Sequence, residues 1–266
     1  MADGYRLLAC DLDGTLLDSG GLLPEAVSSA LGRAAAAGLA VAVITARPPR
    51  DVPQQIRAGI PATAYWAHGN GALVFRPGAP RPSRELVFDA GTLRRLAAVL
   101  RDARPTWPLA FDLLDATVVQ PGFPPELARH WSNVEWRSGV EQVRPVVKIL
   151  ACPFRPCDVG LVDAVQSLVG DAAEVTASGE HFLELGPRGT GKSGVLAWIA
   201  EDLGLSTAEV VAVGDGLNDR EMLRLAGLGA APANASEPVR LAADRVLPSN
   251  DEAAVAHLVD QLLGRG

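Results

Sequence analysis

Two short apolar runs on either side of one helical segment constrain the fold more than any other feature. Residues 5–10 and 39–45 each have the length of a strand and are apolar almost throughout, the pattern of a parallel strand buried on both faces. Between them, residues 24–37 begin with proline and are followed by glycine, which mark the start and the end of a helix. These three segments predict a βαβ unit.

The same alternation of strands and helices returns near the C-terminus. The elements predicted there are helices at 193–203, 219–226 and 252–263 and strands at 210–213, 228–231 and 245–247. Because both ends of the chain carry this pattern, we expect them to share one Rossmann-like parallel sheet.

The middle of the chain follows another pattern. Residues 76–84 are rich in proline and predict a linker. Beyond it, the predicted strands lie at 109–114, 117–120, 134–137, 146–151, 174–177 and 182–185, and the predicted helices at 92–102 and 158–169. The predicted fold class is therefore α/β, with a core formed by residues 1–82 and 187–266 and an inserted α+β domain at 83–186.

Composition argues against several classes of partner. The 266 residues include 24 basic and 31 acidic side chains, a formal net charge of −7, whereas nucleic acids and anionic membranes require a basic face. No apolar run is long enough to span a membrane, and residues 1–6 do not have the pattern of a signal segment. Three cysteines cannot form a disulfide framework. We expect a cytoplasmic monomer or homodimer that binds neither nucleic acid nor membrane.

Acidic residues follow two of the predicted strands. The sequence DLDGT at 11–15 follows the first strand, and GDGLND at 214–219 follows the strand at 210–213. Ligands bind at the carboxyl ends of strands in a parallel α/β sheet. Carboxylates that converge there repel one another unless they take up protons or bind a cation such as Mg²⁺. Either segment could instead be an ordinary turn that caps a helix.

Lysine is rare in this chain. Only Lys148 and Lys192 occur, so 22 of the 24 basic residues are arginine, and lysine is expected where a compact ammonium is required. Lys148 and His181 could each contact a substrate, although a lysine in a strand usually lies on a solvated face. The segment from Thr45 to Arg47 ends the second predicted strand, where a hydroxyl and backbone amides suit phosphate oxygens, but Thr45 could simply cap a helix.

Taken in order, these motifs resemble the haloacid dehalogenase superfamily of phosphohydrolases, in its Cof-type branch with a C2 (type IIB) cap. The matching positions are DLDGT at 11–15, Thr45, Lys192 and GDGLND at 214–219, with smaller matches at 70–72, 234–235 and 249–252. Ala46 and Ser193 stand where the family usually has glycine, which affects loop shape rather than a reactive group. The resemblance implies that the inserted domain is a cap that selects the substrate.

The resemblance also implies roles for individual residues. Asp11 would be the nucleophile that forms an aspartyl-phosphate, and Asp13 would be the general acid and then the base. The implied catalytic residues are Asp11, Asp13, Thr45 and Lys192, and the implied substrate-binding residues are Thr45, Arg47, Asn218 and Lys192. The implied Mg²⁺ ligands are Asp11, Asp13 through its backbone carbonyl, Asp215, and Asp219 through water. The implied function is a Mg²⁺-dependent phosphatase acting on a small, sugar-phosphate-like metabolite.

Several alternatives stay open. Within the superfamily, the chain could be a sugar-phosphate mutase, a carbohydrate-specific phosphatase, or a catalytically silent binding protein. Residues 186–193 also match the P-loop pattern of nucleotide hydrolases and lie between a predicted strand and a predicted helix. About 80 residues remain after this strand, too few for the usual sheet of such enzymes, and a P-loop leaves Asp11, Asp13 and Thr45 without a role.

Overall fold

The structure, a computed structural model, describes residues 4–129, 131–138, 144–179 and 181–264. Within these ranges, fourteen strands form two separate sheets. The strands are β1 (Leu7–Cys10), β2 (Ala40–Ile44), β3 (Tyr65–His68), β4 (Leu73–Phe75), β5 (Arg84–Glu85), β6 (Leu109–Leu113), β7 (Thr117–Val119), β8 (Val134–Trp136), β9 (Val146–Ala151), β10 (Glu174–Thr176), β11 (Leu183–Gly186), β12 (Val210–Val213), β13 (Leu228–Pro232) and β14 (Arg245–Leu247).

The described ranges also contain nine α-helices. They are α1 (Glu25–Ala36), α2 (Gln54–Ala58), α3 (Ala90–Ala103), α4 (Pro125–Ala128), α5 (Val159–Val169), α6 (Lys192–Asp202), α7 (Arg220–Leu225), α8 (Glu237–Arg240) and α9 (Ala254–Leu262). Side-chain caps explain where two of them begin: the carboxylate of Asp89 accepts from the first N–H groups of α3, and that of Asp158 does so for α5. None of these helices combines the length and the apolar character needed to cross a bilayer.

The first sheet has the strand order β14-β13-β12-β1-β2-β3-β4-β5. The pairs from β14 to β3 are parallel, and β4 and β5 extend one edge in antiparallel pairing. Side chains alternate between the faces of β1, so Leu8 and Cys10 pack in one cluster with α1 and α9, while Leu7 and Ala9 pack in another with α6 and α7. The predicted fold class, a Rossmann-like α/β core, is confirmed.

The second sheet has the strand order β10-β11-β9-β6-β7-β8, and all of its strands lie between β5 and α6 in the chain. Helices α3 and α5 cover one face, where Phe111, Ile149 and Leu185 are buried in a single apolar cluster. Because side chains alternate along each strand, Asp112 on β6 and Lys148 on β9 lie on the opposite face. That face lies over the carboxyl ends of the parallel strands, where Lys148 contacts the carbonyl of Ala46.

Several elements differ from the sequence prediction. Strands β3 and β4 and helix α2 were not predicted, and residues 76–83 are a connection from β4 to β5 within the first sheet rather than a linker between domains. The domain boundaries predicted at 82/83 and 186/187 stay a prediction. Because β5 pairs with β4 in the first sheet, the structure favours a first boundary after Glu85.

Candidate active site

Three strand ends meet at one edge of the first sheet. Strand β1 lies between β2 and β12 and is parallel to both, so the carboxyl ends of the three strands are neighbours. Asp11 follows β1, Thr45 follows β2, and Asp215 follows β12 after one glycine. The backbone N–H of Asp11 continues the pairing by donating to the carbonyl of Val213 at 2.9 Å. This arrangement brings distant segments of the chain to one place.

Three carboxylates converge at this edge. Asp11, Asp215 and Asp219 each offer an oxygen atom within 4.8 Å of the others, and they form a potential metal site among the described residues. The hydroxyl of Thr15 donates to Oδ1 of Asp215 at 2.8 Å. At Gly14, where φ is +73°, an added Cβ would lie 2.3 Å from Oδ2 of Asp215, so the backbone needs glycine to pass this close to the carboxylate.

The surroundings of these carboxylates favour a bound cation. Burial raises the pKa of Asp11 well above its usual range, and the charges of Asp219 and Asp215 add to this effect while Lys192 opposes it. Burial, followed by the charge of Asp219, raises the pKa of Asp215 to about 6. Oxygen ligands that must otherwise be protonated are a donor set that fits a hard divalent cation such as Mg²⁺.

Lys192, the first residue of α6, places its ammonium among the carboxylates. Its Nζ donates to Oδ1 of Asp11 at 2.5 Å and to Oδ1 of Asp219 at 2.8 Å, and the residue is only 2% exposed. Burial alone would lower the pKa of Lys192, but the charges of Asp11 and Asp219 outweigh burial and raise it. This contact places Lys192 beside Asp11. A P-loop hydrolase assigns no role to Asp11, so the contact favours the phosphohydrolase interpretation over the P-loop.

Asp13 and Arg47 form an ion pair beside the three carboxylates. The guanidinium donates to both oxygens of Asp13, with 2.8 Å between Nε and Oδ2, and half of the Asp13 side chain is exposed. The backbone N–H of Arg47 also donates to Oγ1 of Thr45 at 3.1 Å. The resemblance implies proton transfer for Asp13 and substrate binding for Arg47, and the structure shows that these two side chains contact each other.

A cavity of about 580 Å³ separates this edge from the second sheet. The second sheet and its loops line it with Asp112, Trp131, Lys148, His181, Phe182 and Glu184, among others. The expectation that a strand lysine faces solvent is wrong for Lys148, which is 5% exposed. Its Nζ donates to Oε1 of Glu184 at 2.8 Å and to the carbonyl of Ala46 at 2.9 Å. The buried charge is tolerated because it is paired.

Sequence reasoning missed further polar residues of this cavity. Arg50, beyond β2, donates to the carboxylate of Asp112, and also to Oγ1 of Thr117 at 2.7 Å. Asn70 was likewise not expected in the site, and its Oδ1 accepts at 3.0 Å from Nδ2 of Asn218, a residue that the resemblance assigns to substrate binding. A signal for Asp112 was available, because a charged residue inside an otherwise apolar strand requires a buried partner.

Comparison with known proteins places the chain in a family. A model of haloacid dehalogenase-like hydrolases matches residues 8–118 and 128–259. The HMP-PP phosphatase of Cronobacter sakazakii is 31% identical over 240 residues, which cover 86% of this chain and 85% of that protein. The chloroplastic endoribonuclease YBEY of Arabidopsis thaliana is 30% identical over 284 residues and 97% of this chain, but the chain spans only 47% of that relative.

A solved structure shows the same fold. The HAD subclass IIB sugar phosphatase BT4131 superposes with a TM-score of 0.82 at 23% identity, covering 98% of this chain and 100% of that chain. The predicted Cof-type resemblance is confirmed, and the named phosphatases among the matches bear out the predicted enzyme class. The chain belongs to the haloacid dehalogenase-like hydrolase family.

Proposed function

We propose that this protein is a Mg²⁺-dependent phosphatase that hydrolyses a small phosphorylated metabolite through an aspartyl-phosphate on Asp11. The observation that carries the proposal is the convergence of Asp11, Asp215, Asp219 and the ammonium of Lys192 at the carboxyl edge of the first sheet. Asp11, Asp215, the backbone carbonyl of Asp13 and, through water, Asp219 would hold Mg²⁺. When bound, Mg²⁺ supplies positive charge that offsets that of the carboxylates and the phosphoryl oxygens.

In the first step, a carboxylate oxygen of Asp11 forms a bond to phosphorus. The bond from phosphorus to the ester oxygen breaks, and its electron pair stays on the leaving alcohol oxygen, which takes a proton from Asp13. In the second step, Asp13 accepts a proton from water as the water oxygen bonds to phosphorus. The bond between phosphorus and Asp11 then breaks, which restores the carboxylate and releases inorganic phosphate.

The remaining site residues bind and orient the phosphoryl group. Lys192 would contact a phosphoryl oxygen as well as Asp11 and neutralise charge that develops in the transition state. Thr45 would donate its hydroxyl to another phosphoryl oxygen. Asn218, which lines the cavity between the two sheets, would be the third residue to bind the phosphoryl group. Arg47 would bind the substrate while holding the Asp13 carboxylate beside the reacting atoms.

The cavity supports a small substrate rather than a phosphoprotein. It has a volume of about 580 Å³ under the second sheet and combines charged residues with the aromatic pair Trp131 and Phe182, whose ring centroids are 5.7 Å apart. Two matched proteins are named as an HMP-PP phosphatase and a sugar phosphatase, and we propose a sugar-phosphate-like metabolite here. A mutase or a carbohydrate-specific phosphatase stays a second prediction, as do the cytoplasmic location and the monomeric or dimeric state.

The test is hydrolysis of p-nitrophenyl phosphate, followed by phosphate release from a panel of phosphorylated metabolites. Asp11→Asn and excess EDTA should each abolish turnover, because the amide is a poor nucleophile and the carboxylates need Mg²⁺. Asp202→Asn is the matched control, since Asp202 binds Tyr65 and Arg76 outside the cavity. Turnover that survives Asp11→Asn, or ATP hydrolysis that survives it but requires Lys192, would overturn the proposal in favour of the P-loop.

A further inference from the structure

Asn70 lies at the centre of the phosphate-binding segments. It follows β3 in a left-handed conformation with φ of +55°, between two glycines that also have positive φ. Its backbone N–H donates to the carbonyl of Thr45 at 3.0 Å, and its carbonyl accepts from the N–H of Gly191, next to Lys192, at 2.7 Å. The main chain of one residue thus links the segments that present Thr45 and Lys192.

The side chain of Asn70 links a third segment to the second sheet. Its Oδ1 accepts from Nδ2 of Asn218 at 3.0 Å, and its Nδ2 donates to Oε2 of Glu184 on β11 at 2.6 Å. Asn70 is 4% exposed and Glu184 is 2% exposed. A carboxylate only accepts hydrogen bonds, so Glu184 determines which way the amide of Asn70 faces, and that amide in turn determines the orientation of Asn218.

Glu184 is itself held firmly within the second sheet and its loops. Its Oε1 accepts from Nζ of Lys148 at 2.8 Å and from Oγ of Ser178 at 2.9 Å. Lys148 also donates to the carbonyl of Ala46, the residue after Thr45. The second sheet therefore contacts the phosphate-binding edge at both Asn70 and Ala46. Replacing both partners of a buried ion pair with apolar residues often leaves stability unchanged or raises it. A contribution to stability is therefore a weak explanation for the buried Lys148–Glu184 pair.

We propose that Glu184 and Asn70 are positioning residues, which orient Asn218 and the Thr45 turn for phosphate binding only when the second sheet is seated on the first. The inference rests on the proposed phosphatase function and extends it, because it makes seating of the substrate-selecting sheet a condition for an ordered phosphate site. Neither side chain needs to contact the substrate. Asn70 acts through its hydrogen bond to Asn218, and Glu184 acts through Asn70 and Lys148.

The test exchanges the two partners. Glu184→Gln presents an amide nitrogen to the nitrogen of Asn70, so the amides of Asn70 and Asn218 must turn or lose their bonds. Asn70→Asp places two carboxylates face to face. Each single change should lower kcat for p-nitrophenyl phosphate by about 10- to 100-fold, as misplacement of site residues does. The double variant again pairs one amide donor with one carboxylate and leaves an acceptor for Asn218, so its kcat should return to within about threefold of the wild type.

Asp202→Asn is again the matched control, and the unfolding midpoint of every variant is measured by urea. Glu184→Gln removes the carboxylate that pairs with the buried ammonium of Lys148, so its unfolding midpoint should fall as well. A structural role predicts that kcat follows the midpoint from variant to variant, whereas the proposed role predicts a lower kcat in protein that is still fully folded in the assay. A wild-type kcat in Glu184→Gln, or a double variant no better than the weaker single variant, would overturn the inference. Calorimetric binding of inorganic phosphate with Mg²⁺ should follow the same pattern, so the inference is testable even if the wild type hydrolyses no substrate.

Discussion

The buried carboxylates should make the metal-free protein less stable as the pH rises. Burial and the charge of Asp219 raise the pKa of Asp215 to about 6 in the folded protein, whereas the pKa of an unfolded aspartate is about 3.9. Between these values, the folded state holds a proton that the unfolded state has released. The stabilisation is fully present below the lower pKa and is lost as the pH rises through the higher one.

The size of the loss follows from the two pKa values. They differ by about two units, and each unit corresponds to about 1.4 kcal/mol, so Asp215 alone should cost about 3 kcal/mol of the free energy of unfolding. This is a large share of the roughly 5–15 kcal/mol that stabilises a typical protein. The pKa of Asp11 is also raised, so its contribution has the same sign. Excess Mg²⁺ should remove the loss, because it binds the ionised carboxylates of the folded state only.

The assay is urea unfolding of the wild type and Asp215→Asn in EDTA, at intervals between about pH 4 and pH 7. The asparagine does not titrate, so the wild type should lose about 3 kcal/mol relative to the variant across this range. Carboxylates with lowered pKa elsewhere, such as Asp89 and Asp202, occur in both proteins and cancel in the difference. Parallel stability curves for the two proteins in EDTA would refute the reasoning.

Three other changes test separate features. Lys192→Met leaves the buried carboxylates without their cation and should lower the free energy of unfolding in EDTA by about 3–5 kcal/mol, and a change below about 1 kcal/mol would count against the ion pairs. Gly14→Ala should weaken Mg²⁺ binding in calorimetry, because its Cβ would lie 2.3 Å from Asp215, whereas Gly21→Ala, with φ of +74° and nothing within 4 Å, should leave affinity unchanged. Phe111→Ala should cost about 3–5 kcal/mol in urea unfolding, since the ring is 0% exposed, and a marginal cost would contradict its place in the core.

Elements with local signals were predicted well. The helix expected at 24–37 is α1 (Glu25–Ala36), because proline and glycine mark its ends. The helix expected at 252–263 begins at Ala254 instead, because Ala253 has φ of +57° and separates it from a turn at 250–252. Strands β3 and β4 were not predicted because they are short and a glycine-rich turn at 69–71 separates them. Their place in the sheet depends on pairing with β2 rather than on local periodicity.

The motifs predict which residues react but not which residues hold them in place. DLDGT, Thr45, Lys192 and GDGLND were recognised by residue type and order, and the structure brings these segments to one edge. Glu184 was not predicted as a site residue, and Asn70 was noted only within the smaller motif match at 70–72, because each acts through a partner far away in the chain. The Glu184–Asn70 hydrogen bond spans 114 residues, a separation that no local pattern encodes.

The sequence alone determined the alternation of strands and helices, and therefore the α/β class and the presence of acidic residues after strands β1 and β12. Tertiary structure decided which of these residues meet: the hydroxyl of Thr15 reaches Asp215 across 200 residues because β1 and β12 pair in parallel. It also decided that Lys148 is buried and that Asp13 faces Arg47. The physical reason is that periodicity and capping are short-range properties of the chain, whereas burial and charge pairing depend on surfaces that exist only once the two sheets are packed together.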